Sequence, residues 1–99
     1  MARMTMAQAR ALPVITYRPT KTARLYRLYD ADGRLLYVGI TTRPDMRERF
    51  NGHSRTKAWW PDVVTVELTN FAHEHEALAA ERHAIRVERP VYNMRSGVR

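Results

Sequence analysis

The segment Asp30-Ala31-Asp32-Gly33 separates two runs of strand-forming side chains, Arg24-Leu25-Tyr26-Arg27-Leu28-Tyr29 and Arg34-Leu35-Leu36-Tyr37-Val38-Gly39-Ile40. An Asp-Gly turn between two such runs closes a β-hairpin, and this restricts the fold more than any other segment does. An even loop pairs residue 30 with residue 35, sets Leu28 opposite Tyr37 and Tyr26 opposite Gly39, and makes Tyr26 and Tyr37 diagonal neighbours on one face. A bulge would break that register. The missing side chain at Gly39 leaves open space beside Tyr26, where a substrate can come close.

The chain has 99 residues, enough for one core and too few for two. After the hairpin, Thr41-Thr42-Arg43-Pro44-Asp45 reads as a helix entry, with a threonine cap, a proline in the first turn and acids near the positive end. Within that helix Met46 and Phe50 form one i, i+4 pair, and Arg49 and His53 form another, unless Gly52 ends the helix first. Trp59-Trp60-Pro61 reads as a loop and Val63–Leu68 as a third strand. From about Phe71 to Glu88 the chain has neither Gly nor Pro, is rich in Ala and stops before Pro90, which marks a helix. Its expected inward stripe is Leu78, Glu81 and Ile85, with Ala77 and Ala84 beside it, so a carboxylate sits in an apolar face. A buried carboxylate needs an arginine, a hydrogen bond or a cation. The expected fold is α/β of the α+β type: a small three-stranded, mainly antiparallel sheet flanked by helices.

Charge narrows the partner. Lys and Arg number 17 against 10 Asp and Glu, a net +7, and 15 of the 17 are arginine, whose planar fork suits phosphate. The excess is +4 in residues 1–22, +3 in 23–62 and zero in 63–99. Residues 1–22, with Pro13 and Pro19, read as a basic, partly flexible arm ahead of a domain at 23–99. Solubility alone is the bland account of such a balance. The absence of cysteine excludes disulfide scaffolds, thiolate zinc sites and cysteine nucleophiles. His73-Glu74-His75 with His83 lacks the His-Glu-x-x-His spacing of a zinc helix and reads as a wet face. No segment resembles a secretory or membrane-spanning stretch, so a cytoplasmic protein is expected, with no membrane partner.

A Tyr in the first strand, Tyr37-Val38-Gly39 eleven residues later, a helical Arg49-x-x-x-His53, a helical Glu81 and a terminal Tyr92-Asn93 together resemble the GIY-YIG nuclease superfamily over residues 24–94. Two departures stand out. The first signature triplet is Arg24-Leu25-Tyr26, with arginine in place of glycine, and Ile40 follows the second signature where some branches have lysine.

The resemblance implies metal-assisted hydrolysis of DNA by one divalent cation, Mg2+ or Mn2+, held by Glu81. It implies Arg49 as a clamp on a phosphate oxygen, Tyr26 as general base, and Tyr37 and His53 orienting water or phosphate. A free tyrosine near pKa 10 is a poor base at neutral pH, so neighbouring positive charge would have to assist it. DNA contacts are expected from Gly39, Arg24, Arg47, Arg55, Lys57 and Asn93. Trp59 and Trp60 either stack on bases or fill the edge of the core. Cutting both strands with one small site implies a homodimer or sequential nicks. The competing reading is a nuclease-like module that grips nucleic acid without cutting it, motivated by Arg24 and by the absence of room for a separate specificity domain.

Overall fold

Strand β2 (Ala23–Tyr29) is buried nearly along its whole length, and its side chains alternate between two different cores. A strand covered on both faces must lie inside a layered sheet. The structure is a computed structural model and describes residues 3–12, 22–42 and 46–93. β2 pairs antiparallel with β3 (Leu35–Thr41) on one side and with β4 (Thr65–Phe71) on the other. A short strand β1 (Arg3–Thr5) adds to the far side of β4, giving the order β1-β4-β2-β3.

The sheet is therefore α+β and antiparallel as expected, with four strands rather than three. The additional strand comes from the segment read as an arm. Arg3, Met4 and Thr5 pair with Glu67, Val66 and Thr65, and helix α1 (Met6–Arg10) buries Ala9 against the sheet. Thr5 caps α1, accepting from the Gln8 amide at 3.1 Å while the Gln8 side chain accepts from the Thr5 amide at 2.9 Å. Composition could not reveal this, because a three-residue strand has too little alternation to register. Pro13 and Pro19 lie outside the described residues.

One face of the sheet carries Tyr26, Leu28 and Val66, packed under Ala9 of α1 and under Met46 and Phe50 of helix α2 (Met46–Thr56). The other face carries Leu25 and Val38 under helix α3 (Glu74–Glu88). α3 turns Ala77 and Ala84 into the sheet, whereas Leu78, expected inside, is exposed. Small residues let the helix lie close, and Leu78 falls beside that contact line. Glu81 and Ile85 are half-buried. α3 starts at Glu74 rather than near Phe71, which ends β4. Arg89 takes a left-handed conformation at its C-terminus, φ 54°, and the buried Pro90 prevents continuation.

The hairpin register is as expected from Arg24 to Leu28, with Leu28 opposite Tyr37 and Tyr26 opposite Gly39. It then shifts by one, so that Tyr29, not residue 30, faces Leu35. The cause is the turn. The Asp30 carboxylate accepts from the amides of Asp32 at 2.9 Å and Arg34 at 2.8 Å, and Gly33 adopts φ +82°. Those bonds wind the loop tighter than an even closure, and a bulge absorbs the odd residue. Thr41 ends β3 instead of capping α2, and Arg43, Pro44 and Asp45 of the expected helix entry lie outside the described residues. Trp60–Asp62 forms a single 3₁₀ turn. No helix among the described residues is long and apolar enough to cross a membrane.

A left-handed position costs a non-glycine residue about 1–2 kcal/mol. Gly33→Ala should lower the unfolding free energy by about that much in urea denaturation, without changing the Leu28–Tyr37 pairing seen by NMR.

Candidate active site

Tyr26 is the centre of the site because three elements meet at its hydroxyl. β2 directs the ring across β3, α2 supplies two partners, and the ring is completely buried. Arg49 Nε donates to the Tyr26 oxygen at 2.8 Å, and that oxygen lies 2.8 Å from His53 Nε2. Both α2 residues reach it because the helix continues through Gly52 to Thr56, so that Arg49 and His53 stay one turn apart on one side. A helix ending at Gly52 would have lost this pairing.

Space at Gly39 belongs to Tyr26 itself. A Cβ at residue 39 would lie 2.5 Å from Tyr26 Oη and 2.6 Å from Cζ, so the gap expected for a substrate is filled by the ring. Tyr37, half-buried, lies beside Tyr26 with ring centroids 6.2 Å apart and meets the His53 ring edge-on at 5.1 Å. Trp60 stacks on His53 at 6.0 Å, and Trp59 lies between Tyr37 at 5.3 Å and a stacked Tyr92 at 5.0 Å. Both tryptophans therefore pack on the core, as walls of the site.

Protonation follows from burial and charge. The Tyr26 phenol is raised well above its usual range, chiefly by burial; Arg49 opposes this, and Tyr37 and Glu81 add to it. His53 is lowered from 6.5 to about 4 by burial, then by the charges of Arg49 and Lys57. At neutral pH the phenol keeps its proton and the imidazole is neutral. Arg49 occupies the phenol oxygen as a donor, so the buried O–H is satisfied by donating to His53 Nε2, which places the imidazole proton on Nδ1. Arg49 is itself held firmly charged: burial opposes its charge, but Tyr26, Tyr37 and Glu81 outweigh this.

Glu81 thus acts electrostatically on both Tyr26 and Arg49 from α3. Among the described residues no three His, Cys, Asp or Glu side chains converge as metal ligands, so an all-protein cage is not built. One half-buried carboxylate suits a hard cation that retains most of its waters. His73 and His75 stack on each other at 5.5 Å at the start of α3, apart from this site.

The remaining expected contacts divide. Asn93 is buried with both amide atoms spent on Val38, Oδ1 accepting from its N–H at 2.7 Å and Nδ2 donating to its carbonyl at 2.9 Å. It pins β3 next to Gly39. Arg24 sits half-buried on the Tyr26 side of β2, which it does not interrupt, and lines a separate cleft of about 300 Å3 with Asn70 and Phe71. Arg47 and Arg55 are exposed on α2, and Lys57 follows it. Arg10, absent from the expected set, donates to Asn51 on α2 at 2.9 Å. Its only sequence signal was the general basicity of the N-terminal segment.

Residues 22–94 match the family described as the UvrC-like GIY-YIG domain, and the chain belongs to that family, which confirms a GIY-YIG nuclease domain. Similar curated proteins include UvrABC system protein C of Ectopseudomonas mendocina, 38% identical over 71% of this chain and 12% of that protein. UvrABC system protein C of Saccharophagus degradans is 30% identical over 76% of this chain and 13% of its own length. That of Borrelia duttonii is 29% identical over 76% and 13%. The chain thus spans only a small part of these relatives. No solved structure matches it.

Two outcomes follow from the packing. Gly39→Ala should cost about 1–3 kcal/mol through overpacking against Tyr26, and in a double-mutant cycle with Tyr26→Leu the combined loss should be smaller than the sum of the two. His53 stability has a definite sign. Its folded pKa lies below the unfolded 6.5, so the unfolded chain binds the extra proton between these values. The contribution is complete above pH 6.5 and is lost as pH falls toward about 4. Urea denaturation at pH 7.5 and pH 5 should show a larger acid loss for the native chain than for His53→Gln.

Proposed function

We propose that this domain hydrolyses phosphodiester bonds in DNA with the help of one divalent cation. The observation that carries the reading is the Arg49–Tyr26–His53 chain of hydrogen bonds, which gives a buried phenol both a charge stabiliser and a proton acceptor. As an attacking water gives its proton to the Tyr26 oxygen, the phenolic proton passes to the neutral His53 Nε2. The water oxygen bonds to phosphorus, and the ester bond to the leaving oxygen breaks. The imidazole, whose proton affinity is lowered by burial and by Arg49 and Lys57, would hold the proton only in passing, and Arg49 would stabilise transient negative charge on the phenol oxygen. Arg49, which also lines an open cleft along α2, would hold a non-bridging phosphate oxygen. Glu81 would hold the cation, magnesium or manganese, whose chemistry is to neutralise charge on the phosphate and the leaving oxygen.

A second reading, DNA binding without cleavage, is favoured by one observation. Tyr26 is 0% exposed, so water reaches its oxygen only after a neighbouring side chain moves. The support for hydrolysis lies in the combination: a binding-only module has no use for a buried phenol poised between a cation and a neutral base.

The test uses supercoiled, branched and single-stranded DNA with magnesium, manganese or EDTA. The native chain should cleave only with metal, and Tyr26→Phe, Glu81→Gln and Arg49→Gln should each lose at least about 100-fold in rate. His53→Gln should lower the rate and move its pH dependence to more alkaline values, since the relay's acceptor is gone. Binding with equal, metal-independent background in all variants would establish the second reading.

A further inference from the structure

Residues 3–12 precede the 22–94 family match, yet they are built into the fold through β1 and α1. The position of Arg10, at the end of α1, gives this element a role. Its Nη1 donates to Asn51 Oδ1 at 2.9 Å, and its guanidinium lies 6.0 Å from the centre of the Phe50 ring. Asn51 belongs to a cleft of about 430 Å3 along α2, lined by Glu48, Arg49, Asn51, Gly52 and Arg55. Arg10 is thus tied to the wall of a cleft that already holds two guanidinium groups and one carboxylate.

Two further features suit a polyanionic chain. A Cβ at Gly52 would meet nothing within 4 Å, so the floor of the cleft is open and the helix backbone is approachable there. Arg49 lines the cleft while its Nε donates to the buried Tyr26 oxygen, so one side chain links the cleft to the phenol behind it. We infer that this cleft is a track for the phosphate backbone of nucleic acid, with Arg10 from the N-terminal element and Arg55 from α2 contacting phosphates on either side of Arg49, the residue that holds Tyr26. The choice of DNA as the occupant rests on the proposed nuclease function; the electrostatics and shape of the track stand apart from it.

The experiment is equilibrium binding of the full chain to a fluorescent DNA duplex across a range of KCl concentrations, in EDTA. Arg10→Gln and Arg55→Gln should each reduce the slope of log K against log salt by about 0.9, one phosphate contact each. Gly52→Leu leaves charge unaltered and starts from a Cβ that meets nothing within 4 Å, so it should weaken binding by filling the track while thermal unfolding shows an intact fold. Arg86→Gln, on α3 across the sheet, should change the slope by much less. Unchanged slopes for both cleft arginines, undiminished binding by Gly52→Leu, or an equal slope change for Arg86→Gln would each overturn the track. Slopes that shift as expected in a chain that cleaves no DNA would leave the track standing and sink the nuclease reading; cleavage by a chain whose variants bind unchanged would do the reverse.

Discussion

A phenol with no exposure to water, hydrogen-bonded to a cation on one side and a neutral imidazole on the other, sets the terms for most of this domain. For Tyr26 to sit there, residue 39 must lack a side chain, because the ring occupies the volume a Cβ would need. α2 must run unbroken past Gly52, because Arg49 and His53 converge only when one helical turn separates them. β3 must stay in register beside the ring, and Asn93 secures this by matching both hydrogen-bonding groups of Val38, as a neighbouring strand would.

Charge is divided to serve the same centre. The arginine-rich first two-thirds of the chain supplies the site's positive groups, and the neutral last third supplies Glu81 from the opposite face of the sheet. α3 is fastened there by its alanine face and by Arg27, which makes a paired contact with Glu88 at 2.9 and 2.8 Å and a longer one with Glu67 at 3.5 Å. That bonding raises Arg27 and lowers Glu88, so each partner keeps the other charged. The pair is partly solvated, and its use is positional more than energetic.

The N-terminal residues join this scheme physically rather than as a loose tether. β1 extends the sheet past β4, where Arg3 lies 3.6 Å over the Tyr29 ring, and α1 covers part of the core that holds Tyr26 and Phe50. Their contribution to any interaction with polyanions therefore comes with a contribution to stability, and the two are separable only by changing single side chains such as Arg10.

Much of the site was readable from residues alone. The turn at Asp30–Gly33 and the alternation around it determined which residues of β2 and β3 face each other, and i, i+4 spacing determined that Arg49 and His53 share a direction, since both depend on local periodicity. Local pattern carries no information about long-range pairing or depth. The joining of β1 to β4, the filling of Gly39 by Tyr26, the inward turn of Asn93 and the exposure of Leu78 were decided only by tertiary packing. The same holds for protonation: sequence names a tyrosine and a histidine with ordinary titration, and burial between α2 and the sheet makes one hold its proton and the other stay neutral.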